Sequence, residues 1–168
     1  MSYNLSLYRF SDGEPTAPDM DVVRAVLSPV RAGEGKASDG ATEYWIRAAD
    51  GSEVEIGVFA EFISVERPQV GDVWKIIIEL VDRLRAGILI PNGTFLCPEE
   101  MRAHLPEGME DASVFVPAIT LAAFERAAGP FMEPLARPLP GLVSGPPSPT
   151  PAPPRPAPPP PRPPPPRP

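Results

Sequence analysis

The sequence predicts an α+β domain built on a mainly antiparallel sheet of five to six strands, with helices packed on one face and a disordered Pro-rich C-terminal tail. Three observations carry this reading. Apolar and polar residues alternate on both sides of Asp50-Gly51, the pattern of a hairpin whose glycine takes positive φ without steric cost. Val70, Val73, Trp74, Ile77, Leu80, Val81 and Leu84 recur at three- and four-residue spacing, the apolar stripe of a helix. From Gly145 onward, 16 of 24 residues are proline and none is acidic, aromatic or large and aliphatic, so that segment has no apolar surface to bury. The domain is therefore placed at residues 1–144 and the tail at 145–168.

Taken in order, Tyr3, Leu5 and Leu7 share one face at period two and predict a half-buried strand. Asp19 precedes Val22, Val23, Val26 and Leu27 at helical spacing, and Pro29 closes that helix. Arg31 to Thr42 reads as a Gly-rich polar loop. Tyr44, Ile46 and Ala48, then Val54, Ile56 and Val58, then Phe62 to Glu66 predict a three-stranded meander. The long helix follows over residues 70–86, with Gly87 at its C-cap. Ile88 to Cys97 reads as a second hairpin around Asn92-Gly93. Pro98 sits in the first turn of a short helix reaching Leu105. Val114 to Val116 reads as a strand or an extended segment, and Thr120 caps a last helix over residues 121–128.

Composition narrows the function. Before residue 145 there are 12 basic and 22 acidic residues, a formal −10, while the tail carries Arg155, Arg162 and Arg167. Such an acidic body repels a phosphate backbone, so no nucleic acid is expected, and it suits a basic protein partner or simple solubility. No apolar run approaches the roughly 18 residues that span a bilayer, so no membrane is expected. The single cysteine, Cys97, leaves no intrachain disulfide, and Met1-Ser2-Tyr3-Asn4 opens without a basic cluster. Both predict a cytoplasmic protein. The abundance of Ala, Gly, Pro and Arg, with Lys36 and Lys75 the only lysines, predicts a bacterial source of high GC content.

Chemistry-bearing residues are few. His104 is the only histidine, so any Ser-His-Asp or Cys-His arrangement must use it. Cys97 stands seven residues before it, and Glu100 four, which supplies at most two metal ligands. No metal and no cofactor are expected. Gly33 to Ser38 lacks the full spacing of a phosphate-binding loop and has acidic neighbours in Glu34 and Asp39. Glu53 and Glu55 share a strand face with Trp45 and Phe59, opposite Tyr44, Ile46, Val54 and Val58. Two arrangements satisfy this pattern. Either the helices leave that face open as an aromatic patch ringed by glutamates, the composition of a binding surface, or the later helices or residues 130–144 cover it. The tail segment Arg155-Pro156-Ala157-Pro158-Pro159-Pro160-Pro161 spells Arg-x-x-Pro-x-x-Pro through Arg155, Pro158 and Pro161, the grammar of SH3-type ligands.

The opening Met1 to Leu7, the Asp50-Gly51 hairpin and the passage from Val65-Glu66-Arg67-Pro68 to Trp74 resemble small bacterial α+β proteins, some of them immunity proteins of polymorphic toxin systems. The resemblance covers roughly residues 1–98. It implies a binding protein that blocks a basic toxin domain by presenting acidic surface, and it names no site residue. The expected function is thus a protein-binding domain using Trp45, Glu53, Glu55 and Phe59. The alternatives are a scaffold recruiting a partner through its tail, and a small hydrolase or transferase using His104.

Overall fold

The structure, a computed structural model, describes residues 3–34 and 40–129. The tail expected from residue 145, with Arg155, Pro158 and Pro161, lies outside the described residues, as do Lys36 and the middle of the loop that precedes Thr42.

The period-two segment at the start of the chain becomes β1 (Asn4–Tyr8), which buries Leu5 and Leu7 on one face. A tight hairpin follows, β2 (Phe10–Ser11) and β3 (Glu14–Pro15), turned by Asp12 and Gly13 at φ 51° and 82°. The Asp19 carboxylate then accepts from the N–H groups of Asp21 and Val22 and starts α1 (Met20–Leu27). Arg31–Glu34, expected as loop, forms β4 against β5 (Thr42–Arg47). Its side chains carry no strand pattern. Main-chain groups at an open sheet edge nevertheless need partners, and any sequence can supply them. β5, β6 (Glu53–Val58) and β7 (Ile63–Glu66) make the expected meander, with Gly51 at φ 86° in the first turn.

α2 spans Val73–Leu84 and buries Val73, Trp74, Ile77, Leu80, Val81 and Leu84. Val70 falls outside it and is exposed. The helix ends at Arg85, which takes the left-handed conformation (φ 52°), so Gly87 is not the C-cap residue. Gly87 instead opens β8 (Gly87–Leu89), where a Cβ would lie 2.3 Å from the Phe95 ring. That glycine answers to packing and not to helix termination.

β8 and β9 (Phe95–Pro98) form the second hairpin. Glu99–His104 is a 3-10 helix, and Pro98 stands before it in extended conformation instead of inside its first turn. β10 (Ser113–Val116) pairs in parallel with β9, and Thr120 Oγ1 accepts from Ala123 N–H at 3.1 Å to cap α3 (Leu121–Ala128).

The result is α+β, with a mostly antiparallel sheet of order β10-β9-β8-β1-β7-β6-β5-β4. Among the described residues it has eight strands where five to six were expected. The short outer strands β4 and β10 extend it by main-chain pairing that leaves little trace in side-chain periodicity. Two cores sit on opposite faces. One joins Leu5, Leu7, Ile46, Ile56, Ile63, Val65 and Ile88 to the buried stripes of the three α-helices. At its centre Trp74 stacks on Phe124 at 4.9 Å. Among the described residues the other face is covered only toward β8–β10, where Met101 of the 3-10 helix packs with Phe10, Phe95 and Cys97. The expectation of helices on one face alone is corrected here, because the parity that buries Leu96 toward α2 sends Phe95 and Cys97 the opposite way.

Candidate interaction surface

The half of that second face formed by β4–β7 carries the residues that the alternation singled out. Register places Asn4, Glu66, Glu55, Trp45 and Gly33 in one row across five strands. Ser6, Ser64, Gly57 and Glu43 form the neighbouring row. Trp45 is 45 % exposed, so no described helix covers it, while residues 130–144, the other cover expected, lie outside the described residues. A Cβ built on Gly33, the residue paired with Trp45, would meet nothing within 4 Å among the described residues.

Trp45, Glu53 and Glu55 line one shallow depression of about 180 Å³ together with Glu66, Arg67 and Gln69. Glu53 is anchored, because Arg47 Nε donates to its Oε1 at 2.6 Å and Arg47 Nη2 forms an ion pair with the same oxygen. Its backbone N–H donates to Gln69 Oε1 at 3.0 Å. Glu55 has no such anchor among the described residues, and it stands directly opposite Glu66. Two carboxylates opposed across an antiparallel pair cost stability, so the surface holds negative charge against its own electrostatic interest.

Phe59, the fourth residue expected in the patch, shares the face but not the depression. Its ring lies over Gly57, 3.2 Å from where a Cβ would stand, and stacks on Phe62 at 4.6 Å. The run continues through Tyr8 and Phe10 to Phe95. This aromatic run joins the exposed patch to the second core and holds Phe59 in place. Glu66, Arg67 and Gln69 were missed as contributors. Their signal was the β6–β7 register, which sequence alone does not number.

Cys97 and His104 do not form a reactive pair. The Cys97 thiol is buried, donates to Pro98 O at 3.3 Å, and is pushed up to about 12 by burial, with a smaller opposing effect from Arg102. A thiol held neutral there is no nucleophile near pH 7. His104 instead faces the β2–β3 turn, where its Nδ1 accepts from Asp12 N–H at 3.4 Å. Glu100 pairs with Arg85 at 3.3 Å. No group of three or more metal-ligating side chains occurs among the described residues, and no helix among them is long and apolar enough to cross a membrane.

No family model, no characterised protein and no solved structure matches the chain.

Proposed function

We propose that this domain binds a basic protein partner through the open half of its sheet. Trp45 is the apolar anchor, and Glu53, Glu55 and Glu66 form its acidic rim. The observation that carries the reading is the opposition of Glu55 and Glu66 beside a half-exposed tryptophan. An exposed aromatic amid charges is the composition of a binding hot spot. A cationic side chain seated between the two carboxylates would relieve their repulsion, which gives the unbound surface a built-in preference for positive charge. The formal −10 before residue 145 extends that preference over longer range. The resemblance to immunity proteins supplies one concrete class of partner, a basic toxin domain held inactive in the bacterial cytoplasm.

The test compares wild type with Trp45→Ser and with the double variant Glu55→Gln/Glu66→Gln, in partner capture at low and high salt. The expected outcome is a basic partner held by wild type at low salt, released by salt, and lost by both variants. A partner retained by both variants, or bound with an affinity that salt does not change, sinks the proposal.

A further inference from the structure

A second cleft lies elsewhere, has a volume of about 440 Å³, and differs in chemistry from the acidic sheet face. The β2–β3 hairpin forms one wall through Phe10, Ser11 and Thr16, and the 3-10 helix forms the other through Glu100, Met101 and His104. Arg9 and Arg85 complete it. Its size falls within the range of roughly 300 to 1,000 Å³ that small-ligand sites occupy.

Two arginines and a histidine, Arg9, Arg85 and His104, thus meet in one concavity beside the hydroxyl of Ser11, inside a body whose overall charge is strongly negative. The Arg9 guanidinium has no hydrogen bond or ion pair among the described residues, although its backbone carbonyl accepts from Thr16. Arg85 is held by the single carboxylate of the lining, Glu100. The His104 Nδ1 meets Asp12, whose N–H lies at 3.4 Å and whose Oδ1 lies at 3.7 Å, and Nε2 has no partner among the described residues.

The walls are fastened to each other. Gly13 N–H donates to His104 O at 3.0 Å, next to the Asp12 contact with the ring. The turn residues Asp12 and Gly13 hold the positive φ that a two-residue hairpin demands. The opening is therefore set before any ligand arrives, which lowers the ordering cost of binding.

We propose that this cleft binds a small phosphate monoester. Its phosphoryl oxygens would sit on Arg9 and Arg85, with Ser11 Oγ and His104 Nε2 as further donors. Arginine offers a planar fork of N–H groups that matches phosphate oxygens. Phe10 and Met101 give the organic portion an apolar floor. A long polyanion is disfavoured by the surrounding negative field, whereas one phosphoryl group meets only the local cations. Glu100 competes with the ligand for Arg85 and sets a ceiling on affinity.

Phenyl phosphate is the probe, titrated into the full chain at constant ionic strength while the amide resonances of Asp12, Gly13, Arg85 and His104 are followed. Saturable shifts centred on those amides are expected. Arg9→Gln and Arg85→Asn should each weaken binding roughly tenfold, the loss of one charge-assisted contact. Asparagine is chosen at 85 because it accepts the left-handed backbone there. Glu100→Gln should tighten binding severalfold by freeing Arg85, a gain that a damaged fold would not produce. Non-saturating shifts spread over remote cations such as Lys75 and Arg126 would overturn the site, and so would saturable binding indifferent to Arg9→Gln and Glu100→Gln.

Discussion

The carboxylate of Asp50, in the β5–β6 turn, accepts the backbone N–H of Asp72 at 2.9 Å and so serves the start of α2 from 22 residues away. Its other oxygen holds Ser52, whose Oγ in turn accepts from Val73 N–H at 3.0 Å. The side chain that would ordinarily cap this helix, Asp72, makes no such bond. Hairpin and helix are thus fastened by groups that satisfy helix N–H donors. Gly71 is required at the crossing, because it sits at φ 144° and a Cβ would lie 2.3 Å from Asp50 Oδ2.

Replacing Asp50 by Ala should therefore cost about 1–2 kcal/mol, the usual loss for an N-cap, even though Asp50 lies outside the helix. Chemical denaturation of wild type and variant measures it. A change below a few tenths of a kcal/mol would show that the turn contributes nothing to α2.

Gly87→Ala should destabilise more than a β-propensity scale suggests. The added methyl would enter the Phe95 ring, which is fully buried. Overpacking of this kind costs about 1–3 kcal/mol. Combining it with Phe95→Leu should recover part of the loss, since the ring is the obstacle. Melting temperatures of the two single variants and the double variant form the cycle that tests this.

Neutralising one member of the Glu55–Glu66 pair should raise stability by roughly 0.2–1 kcal/mol, the scale of a cross-strand pair. Glu55→Gln is the better choice, because Glu66 also accepts from Ser64 Oγ at 3.5 Å. Thermal unfolding at low salt checks this, and the gain should shrink as salt rises. Stability gained together with partner affinity lost is the signature of a surface kept for binding.

The buried Cys97 thiol carries a pH prediction. Its folded pKa, about 12, lies above the ordinary value of 9.0. Between those values the unfolded chain gives up the thiol proton while the folded chain keeps it. This contribution is therefore fully present below pH 9 and is lost as pH rises toward 12, with a slope of at most about 1.4 kcal/mol per pH unit. Tyr3, whose phenol is also raised by burial, acts in the same direction. Comparing wild type with Cys97→Ala across this range isolates the cysteine: the variant should lose less stability between pH 9 and 11. Native Cys97 should likewise react with thiol reagents only as fast as the domain opens.

Replacing Trp74 by Ala should cost about 3–5 kcal/mol, since it removes the ring that stacks on Phe124 between α2 and α3. Trp74→Phe should cost less. The indole Nε1 has no hydrogen-bond partner among the described residues, so phenylalanine removes a buried polar group along with part of the packing. Urea unfolding of both variants separates the two effects.

Local periodicity determined most of the elements by itself. Val73, Ile77, Leu80 and Leu84 repeat as a helix repeats, and Tyr44/Ile46 and Val54/Ile56 alternate as strands do, so α2 and the meander were legible without any long-range information. The same alternation put Trp45, Glu53 and Glu55 on one face, and Phe59 lies over Gly57 on that face. Caps at Asp19 and Thr120 were equally local, since each bonds N–H groups two or three residues on. What only the tertiary structure decided were relationships between segments far apart in the chain. β4 became a strand, and the open alternative at residues 114–116 resolved to one, because neighbouring edges offered main-chain partners. Gly87 yielded to Phe95, Asp50 reached α2, and Glu66 came to stand against Glu55. Arg9, Arg85 and His104 met in one cleft although 95 residues separate the first from the last. Side-chain patterning records which face a residue turns to, but register and layer order arise from pairing and packing between segments, and no local window of sequence contains them.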